Sequence, residues 1–115
     1  YSKKIEPYKC WNDITIIPYN FEDDVHYTYE KSFEISLLDE FRSSEYLIMD
    51  FHPIHIFLNT ESDKTYQRAR DFLKTDKISN FKNTEVNGAR DLLIRTFEEI
   101  KKANLKTNHL KDLIL

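Results

Sequence analysis

The chain has 115 residues, enough for one modest core and too few for two ordinary domains. It is 40% hydrophobic and 32% charged, with one Gly and three Pro, which sets aside disordered, collagen-like and low-complexity classes. Seventeen basic and twenty acidic residues are mixed along the chain for a net charge of −3, so neither a nucleic-acid footprint nor an attraction to anionic membrane is expected.

The first twelve residues are polar and irregular and hold the only cysteine, Cys10, which rules out an internal disulfide and Cys-based zinc motifs. No apolar run approaches the roughly twenty residues that span a bilayer, and the cytoplasm is the favoured compartment. Residues 13–17 are β-branched and apolar on both faces, then stopped by Pro18; such runs predict a strand covered on both sides, as in parallel sheets. The acidic and aromatic stretch 19–27 has neither a helical nor a strand period and reads as a loop leaving that strand.

Phe33, Leu37 and Phe41 recur at four-residue spacing and predict a short helix. Residues 46–51 read as a second buried strand, which Pro53 ends just beyond His52. Thr60 and Asp63 form a start signal for a helix burying Tyr66, Ala69 and Leu73, and a polar connection covers about residues 75–86. A further helix from Asn87-Gly88 should bury Ala89, Leu93, Phe97 and Ile100, with Lys101 and Lys102 suiting its C-terminal dipole. Asn108 can cap a last helix with Leu110, Leu113 and Ile114 inside. The order is that of an α/β fold with parallel strands alternating with helices. Two doubly covered strands cannot complete a sheet alone, so either a partner chain completes it or the natural domain is longer than this chain, and the longer domain is the expectation.

Chemistry gathers after the two strands. Side chains alternate along a strand, so Asp50 and His52 share one face and Met49 and Phe51 the other. A buried Asp beside a His is costly unless the face meets a polar cavity. Asp23 and Asp24 are either a solvated loop pair or a carboxylate that tunes a catalytic His. His52 and His55 lie three apart. Pro53 is expected to oppose a helix here, and in extended backbone the two rings would diverge, so the pair is not expected to hold a metal. His55, in an apolar run, also reads as a buried, hydrogen-bonded imidazole.

Ile17-Pro18-Tyr19-Asn20-Phe21-Glu22-Asp23-Asp24-Val25-His26, with the later Asp50-Phe51-His52-Pro53-Ile54-His55-Ile56-Phe57-Leu58-Asn59-Thr60, resembles the late segments of polysaccharide-deacetylase-like proteins of the NodB-homology type. The resemblance implies a distorted (β/α)₇ TIM-like barrel that removes acetyl or related acyl groups from carbohydrate with a divalent metal, zinc foremost. The family's early acidic motif and its His-x-x-x-His motif are not found here, so the metal ligands are expected outside this chain, in the missing N-terminal portion of the barrel. By the resemblance His52 is the late general acid and Asp23 or Asp24 its acidic partner; Asp50, His55 and Tyr19 are expected to face the substrate beside them. Where the family commonly carries Leu, two residues before that His, this chain has Asp50, which points to a different acyl group, a non-sugar amide or an inactive relative. The rival readings are a catalytically silent barrel fragment and a small binding or interaction module.

Overall fold

The structure is a computed structural model that describes residues 6–113. Strands β1 (Tyr8–Lys9) and β2 (Thr15–Ile16) pair antiparallel, with Tyr8 opposite Ile16 and Lys9 opposite Thr15. Between them the Cys10 amide donates to the Ile14 carbonyl at 2.8 Å, and Asp13 takes a left-handed φ of 64°, a conformation its short polar side chain tolerates. This corrects the expected doubly covered parallel strand over 13–17. Ile14 and Ile16 are exposed on a surface hairpin, and Trp11 near its turn is 96% exposed. A β-branched run satisfies strand preference whether or not anything covers it.

The parallel pairing lies elsewhere. Strand β3 (Phe21–Glu22) runs beside β4 (Met49–Asp50), with Phe21 opposite Met49 and Glu22 opposite Asp50. Buried Asn20 leads in by using both backbone and side chain: its amide donates to the Ile48 carbonyl at 2.7 Å, and its Oδ1 accepts from the Ile48 amide at 2.7 Å. The chain turns directly from β3 into helix α1 (Asp23–Thr28), so residues 21–28 are strand and helix, not the expected loop. Asp23 and Asp24 sit in the first turn, where negative charge suits the helix dipole.

Helix α2 (Leu37–Glu40) is a single turn whose cap, Ser36, accepts from the Asp39 amide at 3.2 Å. The predicted trio Phe33, Leu37 and Phe41 is buried. Helix α3 (Pro53–Leu58) begins immediately after His52, with Pro53 in its first turn. A proline there forfeits no intrahelical bond and presets φ, so it starts a helix instead of opposing one. Helix α4 (Asp63–Ala69) is capped not by the expected Thr60 but by Ser62, which accepts from the Thr65 amide at 3.3 Å. Its Ala69 is buried, whereas Leu73 beyond it is exposed. One-turn and two-turn 3-10 segments cover Arg70–Phe72, Asp76–Phe81 and Leu110–Leu113, and Ile114 lies outside the described residues.

Helix α5 (Ala89–Lys102) buries Ala89, Leu92 and Thr96, and leaves Phe97 57% exposed. The inward stripe is rotated from the predicted one because Thr96 can go inside. Its hydroxyl donates to the Leu92 carbonyl at 2.7 Å, which removes the cost of burying it. Where α3 ends, Asn59 adopts a left-handed φ of 51° and turns its side chain onto the start of α5. Asn59 Oδ1 accepts from the Arg90 and Asp91 amides at 3.0 and 3.2 Å, and Asp91 Oδ2 accepts from Asn59 Nδ2 at 2.7 Å and from the Gly88 amide at 3.1 Å.

The core joins Phe21, Tyr27, Phe33, Leu37 and Phe41 to Ala89 and Leu92, with Met49 and Phe51 packed against it. The architecture is mixed α/β. Both sheets are two-stranded and open, so the described residues form no closed TIM-like barrel. No helix among them is long and apolar enough to cross a membrane.

Candidate functional site around His52

Alternation in β3 and β4 sorts the site. Phe21, Met49 and Phe51 turn toward the core, while donor atoms of Glu22, Asp50 and His52 lie within 4.8 Å of one another. The expected split of Asp50 and His52 from Met49 and Phe51 is therefore present.

Asp23 is fully buried, and His52 engages both of its carboxylate oxygens. The His52 amide donates to Oδ2 at 2.9 Å, and ring atom Nδ1 lies 2.7 Å from Oδ1. A carboxylate only accepts, so Nδ1 carries a hydrogen and the ring is held with Nε2 on the far side. Nε2 lies 3.9 Å from Glu22 Oε1, and the side chain is 39% exposed. The Asp23 hydrogen bond raises the His52 pKa above the usual imidazole range; burial opposes it, and the charges of Asp23, Asp24 and Asp50 add to it.

Of the two adjacent carboxylates it is Asp23 that bonds to His52. Asp24 is half-buried, with a buried Oδ1 that no hydrogen bond reaches. Asp50 is exposed at the end of β4. Tyr19 is 43% exposed on the same side, and its hydrogen bond to Glu22 raises the phenol pKa, with burial second. Glu22 is the member of the cluster that sequence reasoning misses; its signal is its place one residue before Asp23, opposite Asp50 in the strand register.

His55 lies behind His52, with ring centroids 5.6 Å apart, because helix α3 brings positions three apart to one side. This corrects the expectation that the two rings diverge. His55 is buried, Nδ1 lies 3.1 Å from Thr60 Oγ1 and Nε2 lies 3.4 Å from the Tyr27 hydroxyl. Tyr27 and Tyr66 meet its ring edge-on at centroid distances of 5.1 and 4.9 Å. Burial lowers the His55 pKa, with His52 adding and Asp23 opposing, and burial pushes the Tyr27 phenol up to about 12.

His26, packed between Phe21 and Phe33, is likewise lowered by burial, against the Ser32 carbonyl at 2.8 Å. As pH falls, His52 should therefore protonate before His26 and His55. For the lowered pair the folded pKa is below the unfolded value of about 6.5, so their contribution to stability is present above that pH and is lost on acidification through the folded values. His52 has the opposite sign, its contribution being full below about 6.5 and lost as pH rises through its folded value. Imidazole NMR titration checks the order; His52 titrating at or below the pH of the buried pair would contradict the geometry.

Among the described residues, two groups of side chains are close enough to share a metal ion: Asp23 with His52 and His55, and Glu22 with Asp50 and His52. The first fits poorly. Its Asp23–His52 contact of 2.7 Å is shorter than the roughly 3.3 Å between two ligands of a tetrahedral zinc, and both His55 nitrogens are engaged. An ion there would break hydrogen bonds that satisfy a buried carboxylate.

No curated protein matches the chain. Among solved structures it is similar to one from Bordetella bronchiseptica described as a polysaccharide deacetylase involved in O-antigen biosynthesis, at 29% identity and a TM-score of 0.73. The match covers 83% of this chain and 40% of that protein, so the chain spans well under two thirds of its relative. The family model described as WbmS-like polysaccharide deacetylase matches residues 1–70, which hold β3, α1, β4 and α3 and every member of the His52 cluster. The chain belongs to the WbmS-like polysaccharide deacetylase family.

Proposed function

We propose that the polypeptide containing this chain is a hydrolase that removes an acetyl or related acyl group from a carbohydrate, and that residues 1–115 are the C-terminal portion of its distorted (β/α)₇ barrel. The observation that carries the reading is the fully buried Asp23 holding His52 by backbone and ring, with Nε2 left on the accessible side. An imidazole fixed in one tautomer, with its pKa raised, is a general acid available near neutral pH. Nε2–H gives its proton to the departing amine or alkoxide as the tetrahedral intermediate collapses, and Asp23 stabilises the imidazolium beforehand. Asp50, Glu22 and Tyr19 line the approach to Nε2 and offer hydrogen-bond partners to sugar hydroxyls; His55 supports the ring from behind.

The family's divalent metal, expected to be zinc, supplies an activated water when bound. Its ligands are assigned to the remainder of the polypeptide, because the family's early acidic motif and His-x-x-x-His motif are not found in this chain.

Replacing Asp23 by Asn tests the pairing. The Asp23 hydrogen bond raises the His52 pKa, so its loss lowers that pKa. A general acid fails as pH rises through its pKa, so the basic limb of the kcat/KM profile should move to lower pH. Asp24→Asn should move it less, through charge alone. A basic limb unmoved in both variants would reduce the two carboxylates to helix-cap charges.

A further inference from the structure

We infer that Glu22, Asp50 and Nε2 of His52 form a binding site for one divalent cation of the zinc type, separate from the metal that drives hydrolysis. Their donor atoms lie within 4.8 Å of one another, and the 3.9 Å from Nε2 to Glu22 Oε1 leaves room for an ion between those two. In the buried group formed with His55, by contrast, the donors already touch.

A second observation is independent of that spacing. Metal-bound histidines characteristically hand their other ring N–H to a carboxylate, which fixes the tautomer and raises the basicity of the ligating nitrogen. Asp23 does this to His52 from a fully buried position, and its second oxygen secures the backbone of the same residue. Nε2 is thus aimed and electron-rich on the side where two carboxylates from neighbouring strands converge. Two carboxylates and one imidazole form a donor set of borderline hardness, suited to zinc ahead of calcium or magnesium, which prefer oxygen alone. Neither strand slips easily, because the Glu22–Asp50 register is fixed by Phe21 and Met49 on the core side.

Nε2 has a single lone pair, so a cation there displaces the proton that the general acid must carry. Occupation would hold the deacetylase in an inactive form whenever zinc exceeds the first equivalent. That consequence rests on the function proposed above; the binding itself does not.

The test uses the complete polypeptide, loaded with one equivalent of its own metal and titrated calorimetrically with zinc chloride. One further equivalent is expected. Asp50→Asn should weaken it by more than about tenfold, the lower end of what losing even an outer-shell partner costs, and Glu22→Gln should do the same. Absence of a further equivalent in the wild type overturns the site. So does an unchanged affinity in Asp50→Asn, whose exposed side chain makes this variant safe for folding. If no acylated sugar is ever turned over, the functional reading fails while the zinc stoichiometry remains readable.

Discussion

In the complete polypeptide His52→Ala is expected to lower turnover by about 10²–10⁴-fold, the usual worth of a positioned general acid. The loss should fall on kcat and kcat/KM together, because the proton is needed only as the intermediate collapses. The fold should survive. Alanine keeps the backbone amide that donates to Asp23 Oδ2, and the imidazole is more than a third exposed. The buried Asp23 Oδ1 would lose its ring partner, at a cost of about 1–3 kcal/mol, within the 5–15 kcal/mol typical of a domain. Thermal unfolding measured beside the kinetics separates the two effects. Native-like unfolding with full activity would make His52 a structural histidine.

The largest effect on stability is expected at the only glycine. Gly88 has an extended backbone, φ −130° and ψ −165°, which any residue can adopt, so its requirement is one of space. A Cβ at this position would lie 2.1 Å from the Asn59 carbonyl oxygen and 2.7 Å from its Oδ1. The backbone of Asn59 cannot retreat without breaking the Thr60 carbonyl's bond from the Ala89 amide and the two amide bonds that Asn59 Oδ1 accepts. Gly88→Ala should therefore cost about 2–4 kcal/mol, combining overpacking with the loss of a helix cap. Urea denaturation reads this as a lower midpoint at unchanged slope. A midpoint equal to that of the wild type would mean that the α3–α5 junction is looser than its distances.

How far the chemistry is legible without coordinates depends on how regular the local pattern is. His52, with Asp50 on one strand face and Met49 and Phe51 on the other, is legible because alternation holds even in a strand of two paired residues. The choice between Asp23 and Asp24 is not. They are neighbours at the point where strand becomes helix, no period spans that point, and only the packing of α1 decides which carboxylate turns inward. Pro53 reads as a stop and is a start: a proline restricts φ in both roles, and the conformation of residues 54–58 settles which applies. In α5 a polar Thr96 goes inward and an aromatic Phe97 stays out, an inversion invisible to a count of apolar positions. Residues 13–17 mislead because a strand's composition records its backbone preference and not what covers it.

The parallel pairing of β3 with β4 also governs the order in which the molecule can assemble. Asp23 and His52 are 29 positions apart, and nothing local brings them together. The carboxylate has its His52 partner only where the intervening segment is closed with Phe21 beside Met49, so loop closure and the burial of this charge are coupled. Helices α1 and α3, of six residues each, are too short to persist alone and gain their stability only from that closure. Contacts of such separation slow the search for the native state. The Asp23–His52 pair thus exists only together with the core beneath it, and a chain without that closure would hold both groups in water as ordinary side chains.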